Sequence, residues 1–243
     1  VAAAQSTALV RSDLQQHDGL AFREAFSNQH LTEVIARHVD DFRDRAYPPD
    51  VTLMAFCSQL ISPDASCREA VVRVNRDRLK LGLPPLSNST SAYCQARKRL
   101  SLGLIKDLAA EVGAALEGAA PSEWLWKGHN AKLLDGSTLS MADTLENQAV
   151  WPQHGQQTEG VGFPIMRIVA LLSLATGACL GLAYGPYQGK ETGEHALARE
   201  LLPLIAPNDI IIADRYYCSY FLIAQLLLRN AHIITRLHGA RDC

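Results

Sequence analysis

Apolar positions recur at helical spacing in the first half of the chain and gather into short unbroken runs in the second. Between residues 12 and 46, Leu20, Phe22, Phe26, Leu31, Ile35, Val39 and Phe42 follow a helical period, which predicts helix. The stretch Tyr47-Pro48-Pro49-Asp50 stops that pattern and starts another, with Asp50 as the expected N-cap. VTLMAFCSQLI, residues 51–61, is apolar on every side and reads as a buried helix ended by Ser62-Pro63-Asp64. A further helix is expected from near Ser66 to about Leu81, followed by a turn over GLPPLSNST. Ser89, Thr90 or Ser91 then caps a short basic helix, AYCQARKRL, and residues 101–117 form one more helix. EGAAPSEW reads as a linker.

After Trp126 the pattern changes. β-type runs occupy residues 131–135, 165–175, 178–184, 209–213 and 231–236, with helices expected over about 192–205 and 218–229. The order is strand, two strands, helix, strand, helix, strand. That is an α/β arrangement with a mixed sheet, preceded by an all-helical region. The expected organisation is a helical N-terminal domain over 1–127 and an α/β domain over 128–243.

Composition adds three constraints. With 48% hydrophobic residues in 243, the chain can bury a sizeable core. The stretch from Ile168 to Gln188 has no charged residue, but Thr176-Gly177 and Gly185-Pro186 interrupt it. Two strands joined by a turn fit it better than a membrane span, so no membrane partner is expected. The six cysteines, at 57, 67, 94, 179, 218 and 243, show no CxxC spacing, which argues against structural zinc and for a reducing cytoplasm. The N-terminus has no basic region preceding an apolar run, so no signal peptide is expected.

Charge changes the picture locally. The overall net charge is −2, yet Cys67–Arg99 holds eight Lys/Arg against two acidic residues. Such a block is either a solvated helical face or the footprint of a nucleic-acid contact. Helix 66–81, the turn and the basic helix suggest a helix-turn-helix-like unit. In it Tyr93, Gln95, Arg97, Lys98 and Arg99 are the candidates to meet DNA, Gln95 at a base edge and the cations at phosphates.

Two aspartates end apolar runs. Lys132-Leu133-Leu134 stops at Asp135-Gly136-Ser137-Thr138, and Ile210-Ile211-Ile212-Ala213 stops at Asp214-Arg215. In α/β sheets, ligands collect at strand carboxyl ends. If the two strands are neighbours, both carboxylates leave the same edge, and their repulsion calls for a cation such as Mg²⁺. Asp after a strand is also a common turn residue, so two unconnected turns remain an alternative. Ser137 and Thr138 serve either Asp135 or the turn. Arg215 meets a phosphate or a neighbouring acid, and Arg236 is a further phosphate candidate. Tyr216 and Tyr217 stack on a nucleotide or pack. His154 and His195 read as polar surface.

At these residues the sequence resembles the IS4-type family of bacterial DDE transposases. LLDGSTLSMADTLENQAVWP resembles the family's first catalytic block, and NDIIIADRYYCSYFLIAQLLLRNAHIITRL its second, with Asp135 and Asp214 in the two Asp positions. The run from FRDRAYPPD to QARKRL resembles an N-terminal region found in part of the family. The resemblance implies an RNase H-like mixed sheet and two Mg²⁺ ions held by the acidic triad. It implies double-stranded DNA as partner, both element ends and target, and a homodimer in a synaptic complex. It places the protein in the bacterial cytoplasm with the nucleoid. The implied chemistry is metal-dependent strand cleavage and strand transfer.

The sequence departs from the family at one point. The resemblance calls for a third carboxylate, a Glu in a Tyr-Arg-Glu-Lys context downstream, and no Glu follows Asp214. Asp242 is the only later acid, and Glu194 and Glu200 lie upstream on another helix. The RNase H-like domain is therefore expected to be incomplete and the chain to be an inactive fragment. Two rival readings stay open: a metal-dependent α/β phosphatase or nuclease using Asp135, and a non-catalytic DNA-binding or dimerising protein.

Overall fold

The computed structural model describes residues 28–39, 46–158 and 160–237. The expected helix over 12–46 falls partly outside these, and its described part is α1, Asn28–His38. Four more helices follow before the first strand: α2 (Pro49–Ile61), α3 (Cys67–Lys80), α4 (Ser91–Arg99) and α5 (Leu102–Gly118). The chain divides into two compact units, 1–108 and 109–243, at a point inside α5.

Local chemistry sets the helix ends. Pro49 is the first residue of α2, where its missing N–H costs nothing, and Pro48 rather than Asp50 is the N-cap. Asp50 instead sits in the first turn, where its charge suits the positive helix end. Ser66 caps α3 by accepting from the Glu69 N–H at 3.1 Å. Glu69 in turn pairs with Arg73 at 3.0 Å, one helical turn on. The turn between α3 and α4 is held from inside by Asn75, which is buried. Its Nδ2 donates to Leu86 O at 3.0 Å and to Asn88 Oδ1 at 3.1 Å, and its Oδ1 accepts from the Leu86 N–H at 2.7 Å. A buried amide so satisfied fixes the turn, whose Leu86 also packs against the core.

Two small cores hold this unit. Leu31, Val34, Ile35, Leu53, Met54, Leu104 and Leu108 form one. Tyr47, Ala55, Ala70, Val71, Val74, Tyr93 and Ala96 form the other.

The second unit is built on a five-stranded sheet. Its strands are β1 (Ala131–Ser140), β2 (Ile165–Ser173), β3 (Cys179–Pro186), β4 (Ile210–Ala213) and β5 (His232–Ile234), in the order β3-β2-β1-β4-β5. β1–β2 and β2–β3 are antiparallel, and β1–β4 and β4–β5 are parallel. A short helix, α6 (Leu145–Val150), follows β1; α7 (Glu194–Leu201) lies between β3 and β4; α8 (Tyr220–Leu228) lies between β4 and β5. The sequence pattern does not announce α6, a helix of six residues capped by Thr144.

β1 runs further than its apolar run suggests. Antiparallel pairing continues from Lys132↔Ser173 to Ser140↔Ile165, so Gly136-Ser137-Thr138 is extended backbone rather than a turn. The parallel pairing with β4 does stop there, at Leu134↔Ala213. Alternation along the strands sends Leu134, Val169, Leu171, Ile211 and Ala213 into one core with Leu197, Ala198 and Leu201 of α7. No helix among the described residues is long and apolar enough to cross a membrane.

An ion pair lies buried inside this unit. Lys132 is 2% exposed, and its Nζ sits 2.7 Å from Asp209 Oδ2 and 3.1 Å from Glu117 Oε2. It also donates to Leu204 O at 3.3 Å. The ammonium thereby joins α5, β1, the residue before β4 and the turn after α7. Breaking such a pair from one side leaves uncompensated buried charge. Lys132→Met is expected to lower unfolding free energy in urea by about 3–5 kcal/mol. Lys98→Met, at an exposed position, should change it by less than about 0.5 kcal/mol. A Lys132→Met loss as small as that of Lys98→Met would refute the lock.

Candidate functional site

The parallel register fixes the site. Leu134 pairs with Ala213, so Asp135 and Asp214 leave the paired stretch of β1 and β4 side by side. Neighbouring strands lie about 4.8 Å apart, which puts the two backbones at that spacing. Both aspartates are exposed. Each uses one oxygen locally: Asp135 Oδ1 accepts from the Gly136 N–H at 2.8 Å, and Asp214 Oδ1 accepts from the Tyr216 N–H at 2.9 Å. The second bond caps the single turn Arg215–Tyr217. The Asp214 carbonyl also accepts from Thr235 Oγ1 at 2.7 Å, tying the aspartate to the chain leaving β5.

On the other face of β1, the face that Leu134 and Gly136 turn toward α7, a further carboxylate packs against the strand. Glu194 is the first residue of α7, and a Cβ added to Gly136 would lie 2.6 Å from its carboxylate and 2.9 Å from the Tyr217 hydroxyl. The bare backbone at Gly136 is therefore the cradle in which Glu194 rests. Tyr217, 1% exposed, donates to Glu194 Oε2 at 3.4 Å. Burial raises its phenol above the ordinary tyrosine value, and the Glu194, Asp135 and Asp214 charges raise it further. All three carboxylates thus act on one hydroxyl.

The approach to Glu194 is pinned. Arg167 on β2 donates from Nη1 to Thr192 O at 2.9 Å, and its guanidinium lies over the Tyr187 ring at 4.6 Å. His195 stacks on Tyr216 with centroids 4.7 Å apart and 22° between planes, and meets Tyr217 edge-on at 5.7 Å. His195 is therefore part of the wall of this site, and Tyr217 is packed while Tyr216 stays half exposed.

The donor set is hard oxygen, which suits Mg²⁺, an ion that keeps several waters. Among the described residues, no three His, Cys, Asp or Glu side chains converge closely enough to hold a metal ion by themselves. Asp135 and Asp214 are the two exposed carboxylates that the β1–β4 register sets side by side.

The other candidates separate by exposure. Thr138, on β1 opposite Arg167, is exposed, as are Arg215 and Arg236. In the helical unit Gln95, Lys98 and Arg99 are exposed on α4. Arg97 is half-buried: it lies over the Phe56 ring at 4.5 Å and donates to Gln59 Oε1 at 3.2 Å. Tyr93 does not share that surface. It is 0% exposed, and its hydroxyl donates to Gln59 Oε1 at 2.7 Å, so it is a core side chain. Its position one helical turn from the buried Ala96 accounts for this. Glu194 is the residue that sequence reasoning passed over. The available signal was Gly136 inside a strand, where a missing side chain marks a close approach.

No family model matches the chain. Over 127 residues it is 28% identical to the putative transposase InsZ of Escherichia coli (strain K12), covering 45% of this chain and 42% of that protein. Among solved structures, the piggyBac transposase synaptic complex with hairpin DNA matches at 12% identity and a TM-score of 0.44, over 93% of this chain and 52% of that one. The Mos1 transposase paired-end complex with left transposon end matches at 10% identity and a TM-score of 0.28, over 82% and 62%. The chain thus spans less than half the length of the curated protein it matches, and over that part it is similar to a putative transposase.

Proposed function

We propose that this chain works in DNA transposition as an IS4-type DDE transposase, with Asp135 and Asp214 as the first two carboxylates of its Mg²⁺ site. The observation that carries the reading is the β1–β4 register. It sets side by side two aspartates 79 positions apart, each inside a segment resembling a catalytic block of that family. The strand order and directions support an RNase H-like reading of the sheet, and the similarity to InsZ supports the transposase class.

When bound, Mg²⁺ would polarise the scissile phosphate and lower the pKa of an attacking water or 3′-hydroxyl. The chain's own residues have simpler tasks. Asp135 and Asp214 hold the ion at the strand ends. Thr138, Arg215 and Arg236 are exposed hydroxyl and guanidinium groups for the DNA backbone. Gln95, Lys98 and Arg99 offer an exposed polar and basic face of α4 for duplex binding, and Arg97 backs it. The DNA partners are element ends and target, bound by a homodimer.

Two measurements test this reading on the 243-residue chain with a mixed-sequence duplex. Filter binding across a salt series should give a steep negative slope, and Lys98→Ala and Arg99→Ala should each flatten it by about one. A flat salt response, or slopes unmoved by both substitutions, would contradict the α4 assignment. In the second, carboxylates facing phosphate repel it until a cation intervenes. Mg²⁺ should therefore tighten duplex binding by the wild-type chain, and Asp135→Asn or Asp214→Asn should abolish that gain. A Mg²⁺ effect that survives both substitutions would rule the site out.

A further inference from the structure

Three donors converge on one sulfur in the helical unit. Cys67 is the first residue of α3, and its Sγ accepts from Arg97 Nη1 at 3.4 Å and from Gln59 Nε2 at 3.7 Å. The third donor is the Cys94 thiol, which hydrogen-bonds Cys67 and lies one turn before Arg97 on α4. Cys67 also packs against the core that holds Tyr93 and Ala96 of α4, so the two sulfurs meet where α3 and α4 touch. Both are free thiols and both are half-buried. Cys94 lines a cavity with Phe56, Arg97 and Lys98, which lets a small reagent reach the pair. Donors aimed at a sulfur steady the negative charge of a thiolate, the form that attacks. Burial, and then the hydrogen bond to Cys67, push the Cys94 thiol above the ordinary cysteine value, so Cys94 keeps its proton longer.

We propose that Cys67 and Cys94 are a redox-sensitive pair that closes into a disulfide when the protein meets a hydroperoxide, fastening α4 to the start of α3. The Cys67 thiolate attacks one oxygen of hydrogen peroxide, the O–O bond breaks, and the departing hydroxide leaves as water with the proton Cys67 gave up. Cys67 is then a sulfenic acid. The Cys94 sulfur attacks it, the S–O bond breaks, and the leaving oxygen takes the Cys94 proton and departs as the second water. Two thiols lose two electrons and two protons, and one peroxide becomes two waters. The link encloses all of α3, the turn after it and the start of α4, so it restrains the unfolded chain as well. In a reducing compartment thiol exchange opens it again. The pair is independent of the Asp135–Asp214 site.

The test is a non-reducing peptide map by mass spectrometry of the full chain, before and after equimolar hydrogen peroxide and again after dithiothreitol. The expected product is a peptide pair joined through Cys67 and Cys94, two hydrogens lighter than its parts and parted again by dithiothreitol. The oxidised wild type should unfold at a higher urea concentration than the reduced protein. Oxidised Cys94→Ser should show no such rise, and its Cys67 sulfenic acid, left without a partner, should be captured by dimedone. Cys179→Ser, which removes an exposed thiol elsewhere, should keep the Cys67–Cys94 link. The wild-type map carries the decision if a variant fails to fold. Peroxide that oxidises other cysteines while Cys67 and Cys94 stay free thiols would overturn the proposal. So would a link found only between separate chains, or one that forms no faster in the native protein than in urea.

Discussion

The parallel pairing of β1 with β4 is the constraint on which the rest depends. Pairing Ala131 with Ile210 through Leu134 with Ala213 sets the register of the sheet's centre. Side chains alternate across a strand, so a slip of one residue would turn Leu134 and Ile211 outward and bring a charge in. Both are 2% exposed or less, and so is most of the layer they share with α7. The apolar core therefore enforces the register, and the register places Asp135 beside Asp214. Packing energy, not any attraction between the carboxylates, brings the site together.

The same two strands carry opposite electrostatic arrangements at their two ends. At the start, Lys132 meets Asp209 and Glu117 out of water, and the charges are compensated. At the finish, Asp135 and Asp214 face solvent, with no cationic side chain paired to them in any described contact. A protein tolerates this negative cluster when the cluster can take up a cation. Tyr217 sits behind it as a neutral donor, kept protonated by burial and by the three charges around it.

Much of this was legible in the sequence, for identifiable reasons. The five apolar runs and the helices between them survive as β1–β5, α7 and α8, because burial on a central sheet writes itself as short hydrophobic stretches. Asp135 and Asp214 were legible because a carboxylate at the end of an apolar run is conspicuous. What the sequence hid was longer in range. Nothing local reveals that Gly136-Ser137-Thr138 stays extended; the partner strand at Ile165–Val169 decides it. Tyr93 looked like part of a basic recognition face, but Gln59 and the packing of α2 and α3 bury it. Glu194 was invisible as a site residue because its neighbours, Gly136 and Tyr217, lie far away along the chain.

The most direct measurement is an anomalous difference map from a crystal of the chain soaked in Mn²⁺. A cation site built by the β1–β4 register predicts a peak bridging the carboxylates of Asp135 and Asp214, absent from an Asp135→Asn crystal soaked the same way. A well-ordered map with no peak between the two aspartates, or with manganese only at carboxylates elsewhere on the surface, would contradict it.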